Sequence, residues 1–202
     1  MLLLAGMVAG PLYVVVSLLE ILVRDGFDPT RHAWSMLANG DFGWIHSLNL
    51  IVSGLLVAAG AVGLHQKIRS GTPAVLLAIY GLGMVGSGFF AADPGRGFPA
   101  GTPEVVPISS HGTLHFALGG IGFLSLVAAC LLLGRRLREE DRRGLALSSY
   151  IIGVVFLIGF VAMAASAGSA WGLLGFTGAV ILASGWLTVI FAHYRAAGPK
   201  GN

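Results

Sequence analysis

The chain has 202 residues, 55% of them hydrophobic and only 10% charged, and its mean hydropathy of +0.84 excludes a water-soluble domain. A formal net charge of +3 and a pI near 9.4 come from Lys and Arg at the ends of apolar runs, which excludes nucleic acid as a partner. The lone cysteine, Cys130, excludes an internal disulfide and a thiolate metal cage.

Six apolar runs fill the chain: 2–23, 43–64, 73–92, 111–133, 145–165 and 171–192. Each reaches the ~20 residues that cross ~30 Å of hydrocarbon at 1.5 Å per residue. Lipid offers no partner for backbone N–H and C=O groups, so the spans are predicted to be helices. The fold class expected is all-α, an integral membrane bundle of six transmembrane helices forming a single domain over residues 1–202. The first run lacks a basic leader and is longer than a signal-peptide core, so it is expected to remain as a helix.

In the first span Tyr13, Ser17 and Glu20 share a face, with Glu20 about one turn from the end. The following connection, 25–42, carries Asp28, Arg31, His32, Trp34, Ser35 and Asp41. His46, Asn49 and Ser53 then make a polar stripe down one half of the second span. Spans three and four are rich in Gly (Gly81, Gly83, Gly86, Gly88; Gly119, Gly120, Gly122), which predicts close helix packing. Gly81 to Gly86 also spells GxGxxG, but without a preceding strand it has no dinucleotide-binding context. Asp93-Pro94 is expected to close the third helix. The connection 93–110 is dense in Pro and Gly, which prevent helix and set turns. His111 and His115, one turn apart, open the fourth span on one face. The run Arg135 to Arg143 is expected to be a solvated turn of mixed charge. Trp34, Trp44 and Trp171 are assigned to one interface, and Trp186 and Tyr194 to the other.

Lys67, Arg69, Arg135, Arg136, Arg138, Arg142, Arg143, Arg195 and Lys200 fall on one side, and only Arg24, Arg31 and Arg96 on the other, a ratio of nine to three. The positive-inside rule then puts both termini in the cytoplasm and the long connections outside an inner or plasma membrane.

Ionisable groups inside spans are costly, so each asks for a reason. Glu20, His46, Asn49, Asp93, Arg96, His111 and His115 converge on the outer level, and three readings compete for them. They form a pocket for an outer-leaflet lipid or small polar ligand, with Arg96 and Arg31 available to an anionic group. Alternatively His46, His111, His115 and Asp93 hold a divalent metal such as zinc, and Asp93 or Glu20 is the base of a membrane hydrolase. Or the cluster is structural, fastening the loops to the bundle. Haem is disfavoured because these His lie near the edge of the hydrocarbon.

The segments Phe89-Phe90-Ala91-Ala92-Asp93-Pro94, Gly97-Phe98-Pro99-Ala100-Gly101-Thr102 and His111-Gly112-Thr113-Leu114-His115, with Gly40-Asp41-Phe42-Gly43 before them, resemble the bacterial and archaeal membrane family catalogued as domain of unknown function nine-nine-eight. The resemblance extends over essentially the whole chain. It implies a polytopic membrane fold and marks Asp93, His111 and His115 as a site, but supplies no reaction. A looser analogy of chemistry links the His and Asp set to seven-span membrane hydrolases of the alkaline-ceramidase kind.

A reporter fused at Gly101 is expected to read extracytoplasmic. A cytoplasmic reading would overturn the orientation.

Overall fold

The computed structural model describes residues 1–68 and 71–197. Arg69 and Lys200, two of the nine basic residues counted above, lie outside the described residues. The helices are α1 (Leu2–Val23), α2 (Gly43–Ile68), α3 (Gly71–Phe89), α4 (Ser110–Glu139), α5 (Arg143–Ala165) and α6 (Ala170–Ala196). All six are long and apolar enough to span a membrane, and the chain is a multi-pass membrane protein. A five-residue 3-10 helix, Trp34–Ala38, interrupts the α1–α2 connection.

The helices follow one another round a ring. Each packs on its neighbour in sequence, and α6 returns to α1, while across the ring α2 and α6 touch marginally. Up-and-down connectivity puts Met1 and Ala197 at the end that carries Arg135, Arg136 and Arg138, where Lys67 donates to the Ala197 carbonyl at 3.0 Å. The connections 24–42, 90–109 and 166–169 occupy the opposite, loop end.

Two seams hold one side of the ring. Gly54 of α2 and Gly81 of α3 face each other so closely that a Cβ on either would strike the other's carbonyl. Gly83 lies against the Leu118 carbonyl and Gly122 of α4. The close α3–α4 packing expected from glycine content is present, and the α2–α3 seam is built the same way.

Ring closure rests on α1 against α6. Pro11 has no N–H to give the Met7 carbonyl, and the Thr188 hydroxyl of α6 donates to that oxygen at 2.9 Å. Gly10 leaves room for the Ser184 backbone, and Phe191 packs between Gly6 and Gly60. On the α4–α5–α6 side, Phe123, Phe156, Phe160 and Phe176 meet edge-on or tilted at centroid distances of 5.3–5.9 Å.

Three expectations need correction. The third helix ends at Phe89, and Asp93 sits in irregular chain beyond it, so neither Asp93 nor Pro94 closes the helix. Gly86 and Gly88 weaken the last turn, and its freed carbonyls are taken by another helix, as described below. The fourth helix continues through the basic run to Glu139. Leu137 is buried there, and Arg135–Glu139 and Arg136–Glu140 form i,i+4 pairs, leaving a short turn with Asp141 at φ 57°. Trp34 and Trp186 are buried rather than interfacial: Trp186 donates to the Ser149 hydroxyl at 3.0 Å, whereas Trp44 and Trp171 are exposed.

Replacing Gly54 or Gly81 by Leu is expected to lower stability in detergent by about 1–3 kcal/mol or more, through collision with backbone. Gly175→Ala, where the added methyl meets nothing within 4 Å, is expected to be neutral or to stabilise α6 by about 0.5–1 kcal/mol. Thermal unfolding followed by circular dichroism checks both.

Candidate functional site

The polar residues singled out in the sequence separate into two groups. The first lies between α1 and α2. His46 is 0% and Glu20 4% exposed, and the imidazole Nδ1 lies 2.8 Å from the Glu20 carboxylate. Below it Asn49 donates to the Tyr13 carbonyl at 3.1 Å and to the Ser17 hydroxyl at 3.3 Å, and accepts from Ser53 at 3.3 Å. The two polar stripes therefore face each other, one helix against the next. His46 Nε2 and Glu20 Oε1 are buried without a hydrogen-bond partner among the described residues.

The second group joins α3 to α4, and its logic is reciprocal capping. Ser109 is the N-cap of α4, its hydroxyl accepting from the Gly112 N–H at 3.0 Å. Asp93, arriving from α3, accepts from the Ser109 N–H at 2.8 Å and from its hydroxyl at 2.5 Å, placing a carboxylate at the positive end of α4. A Cβ at Gly112 would fall on that carboxylate, so glycine makes the seat. In return His115 of α4 approaches α3: its Nδ1 lies 2.8 Å from the Phe90 carbonyl and 3.1 Å from that of Ser87. Both oxygens are acceptors, so Nδ1 carries the proton and Nε2 holds the lone pair in the neutral ring. His111, on the same helix, is exposed and only meets the edge of Phe90 at 5.5 Å.

The metal set proposed from the sequence is therefore not assembled. His46 turns to α1, His115 to the end of α3, His111 outward and Asp93 onto Ser109. Among the described residues no three His, Cys, Asp or Glu side chains stand together as ligands. The i,i+4 spacing of His111 and His115 suggested a shared face, but helix packing buries one and exposes the other. The catalytic candidates are likewise committed: Glu20 to His46, Asp93 to Ser109.

Sequence reasoning left His32 without a role, yet it fastens the loop end. It is buried between Phe27 and Phe98, ring centroids 5.3 and 5.4 Å away. The Asp28 N–H donates to its Nδ1 at 2.9 Å, so Nε2 bears the proton and donates to the Arg96 carbonyl at 3.0 Å. Asp28 is itself held below the usual carboxylate range by the Thr30 hydroxyl and N–H. Arg24 donates to the carbonyls of Leu37 and Asn39, and Asn39 to that of Ala92 at 3.0 Å. Arg96, at φ 54°, reaches the carbonyls of Gly168, at 2.7 Å, and Ala167. Arg31 pairs with Glu104 at 2.9 Å. The three connections form one knitted cap.

Beneath the cap, inside the ring, lies a cavity of about 540 Å³. Its wall is mostly apolar, with Phe116, Phe123, Phe160, Phe176, Leu173 and Val180 among the lining side chains. Asp93, Arg96, Arg31, His115 and Trp34 line it as well. Of the residues proposed for ligand binding, the structure brings Asp93, Arg96 and His115 to the cavity. His46 and Asn49 stand in the α1–α2 seam, and His111 stands outside.

His46→Ala would leave the Glu20 carboxyl buried without its partner and is expected to cost about 3 kcal/mol or more of stability. Glu20→Leu combined with His46→Phe is expected to recover most of the loss, because an apolar pair of similar size needs no partner. Melting temperatures of the three proteins in one detergent check this.

No curated protein and no solved structure matches the chain. A family model described as "Protein of unknown function (DUF998)" matches residues 7–194, nearly the whole ring and its cap, and the chain belongs to that family.

Proposed function

We propose that the protein binds a membrane amphiphile inside its ring of helices, with the apolar part of the ligand among the phenylalanines and the polar part under the cap. The cavity of about 540 Å³ carries this reading, since its size and apolar wall with a few polar groups suit a small-molecule site. Six helices in sequential order leave the middle of the bundle without a helix to fill it, and bulky side chains there would be the ordinary remedy. Instead α4 presents Gly119, Gly120 and Gly122 to the space.

Binding is favoured over hydrolysis because the two carboxyl groups proposed as bases are occupied. Asp93 has both oxygens on Ser109, and Glu20 is paired with His46 away from the cavity lining. The partner is accordingly a membrane lipid or lipid-like molecule. On the nine-to-three asymmetry of basic residues, the cap faces the outer leaflet of an inner or plasma membrane and the termini face the cytoplasm.

Gly120→Leu tests the reading. A Cβ at Gly120 meets only Phe160, at 3.9 Å, so a larger side chain occupies the cavity without striking backbone. Native mass spectrometry of gently solubilised protein is expected to show an amphiphile retained by the wild type and reduced at least about tenfold in the variant, a loss of about 1.4 kcal/mol of binding. Equal retention by a folded Gly120→Leu protein would place the bound molecule elsewhere and sink the proposal.

A further inference from the structure

The end of the bundle opposite the cap carries a second recess, which the binding reading above does not use. It is an open groove between α4 and the first turns of α5, lined by Leu131, Leu132, Arg135, Arg138, Glu139 and Tyr150, and it shares no residue with the cavity inside the ring. Leu131, Arg135 and Arg138 stand at i, i+4 and i+7 on α4 and so share one face. Gly134 lets α5 come close there: a Cβ on it would lie 2.9 Å from the Tyr150 ring.

Depth and charge decide what the groove can hold. α4 has 30 residues, about 45 Å at 1.5 Å per residue against roughly 30 Å of hydrocarbon, so its last turns rise out of the membrane core. Leu131 and Leu132, both exposed, close the apolar run, and the guanidiniums begin one turn further on, at the level of lipid headgroups. Arg135 donates from Nε to Glu139 at 3.1 Å, which leaves its terminal N–H groups without a partner among the described residues, and the Arg138 side chain has none there at all. Two positive groups and one negative therefore line the groove, a surplus of one positive charge. The neighbours do not reverse the sign: Arg136 pairs with Glu140, Arg143 pairs with Asp141, and Arg142 adds a further cation.

We propose that this groove is a binding site for an anionic phospholipid of the leaflet at the end that carries Met1 and Ala197, with phosphate oxygens accepting from Arg135 and Arg138 and an acyl chain lying along Leu131 and Leu132. The planar fork of a guanidinium matches phosphate in geometry and in charge. A free anion would satisfy the arginines and leave the leucines uncovered, whereas a lipid covers both, and the Tyr150 hydroxyl stands at the interface as a further donor.

The test sets dioleoylphosphatidylglycerol against dioleoylphosphatidylcholine, which share their chains and phosphate and differ in net head charge. Delipidated full-length protein is equilibrated with both at equal concentration, and bound species are counted by native mass spectrometry. Wild type is expected to hold the phosphatidylglycerol in about tenfold excess, and Arg135→Gln/Arg138→Gln to bring that excess down to about twofold or less. Lys67→Gln/Arg195→Gln removes the same charge from exposed positions on α2 and α6 and is expected to leave the preference near that of wild type. Equal binding of the two lipids by wild type would overturn the proposal without recourse to any variant. An equal loss in both double variants would reduce the effect to the general charge of this end and overturn the groove. Gly120→Leu is expected to keep the phosphatidylglycerol, and its loss there would move the anionic lipid into the ring cavity. Inorganic phosphate in large excess, at fixed ionic strength, is expected to leave the lipid bound, and full displacement would assign the groove to a free anion instead.

Discussion

Everything at the loop end depends on two helix termini that cap each other. The last turn of α3 leaves carbonyls without intrahelical donors, and the first turn of α4 leaves N–H groups without acceptors. His115 supplies the missing donor to the Phe90 and Ser87 carbonyls, and Asp93 with Ser109 supplies the missing acceptors. His115 belongs to α4 and serves the end of α3, and Asp93, on the chain leaving α3, serves the start of α4 through Ser109. In a bilayer such groups are costly to leave bare, so the exchange fixes where α3 stops and where the chain re-enters as α4. The connection between them is thereby anchored at both ends, and the remaining cap is knitted onto it through Asn39, His32 and Arg96.

Ring closure and the cavity are two sides of one arrangement. Glycine seams draw α2, α3 and α4 together, and Pro11, Met7 and Thr188 tie α1 to α6. A ring closed this way has an interior, and the cap covers one end of it. Polar residues then sort by depth and by partner. The Glu20–His46 pair and the Asn49 network serve the α1–α2 seam, whereas Trp34 and His115 line the space within the ring.

Much of the fold could be read from the chain because bilayer thickness imposes one strong pattern. The six spans follow from apolar run length alone. Helix ends were read less well: α4 overruns its apolar stretch through Arg135–Glu139, and α3 stops before Asp93. Both depend on local bonds that hydropathy does not register. For the site, the spacing of His46, Asn49 and Ser53 gave a polar stripe down one half of the second span, because period alone sets a helical face; that the stripe faces α1 is seen only in the structure. The convergence of His46, His111 and His115 did not follow, since it required the rotation of each helix about its axis. His32 went unassigned because its value comes from Phe98 and Arg96, more than sixty residues away in the chain. The cavity has no sequence signature at all: it is what six sequential helices leave between them.

The cap has one further property, which concerns mutational tolerance. Most of its acceptors are main-chain oxygens: those of Leu37, Asn39, Ala92, Arg96, Ala167 and Gly168, beside Ser87 and Phe90 beneath. A backbone carbonyl survives any change of the side chain on the same residue. The loops can therefore drift in sequence at most positions without losing a bond. The burden of identity falls on the few side chains that reach across, namely Arg24, His32, Asn39, Asp93, Arg96, Ser109 and His115, and on Gly112 and Gly168, where a methyl group would obstruct them. Long, irregular connections of this kind look free to vary, yet their freedom is confined to the residues that lend only their backbone.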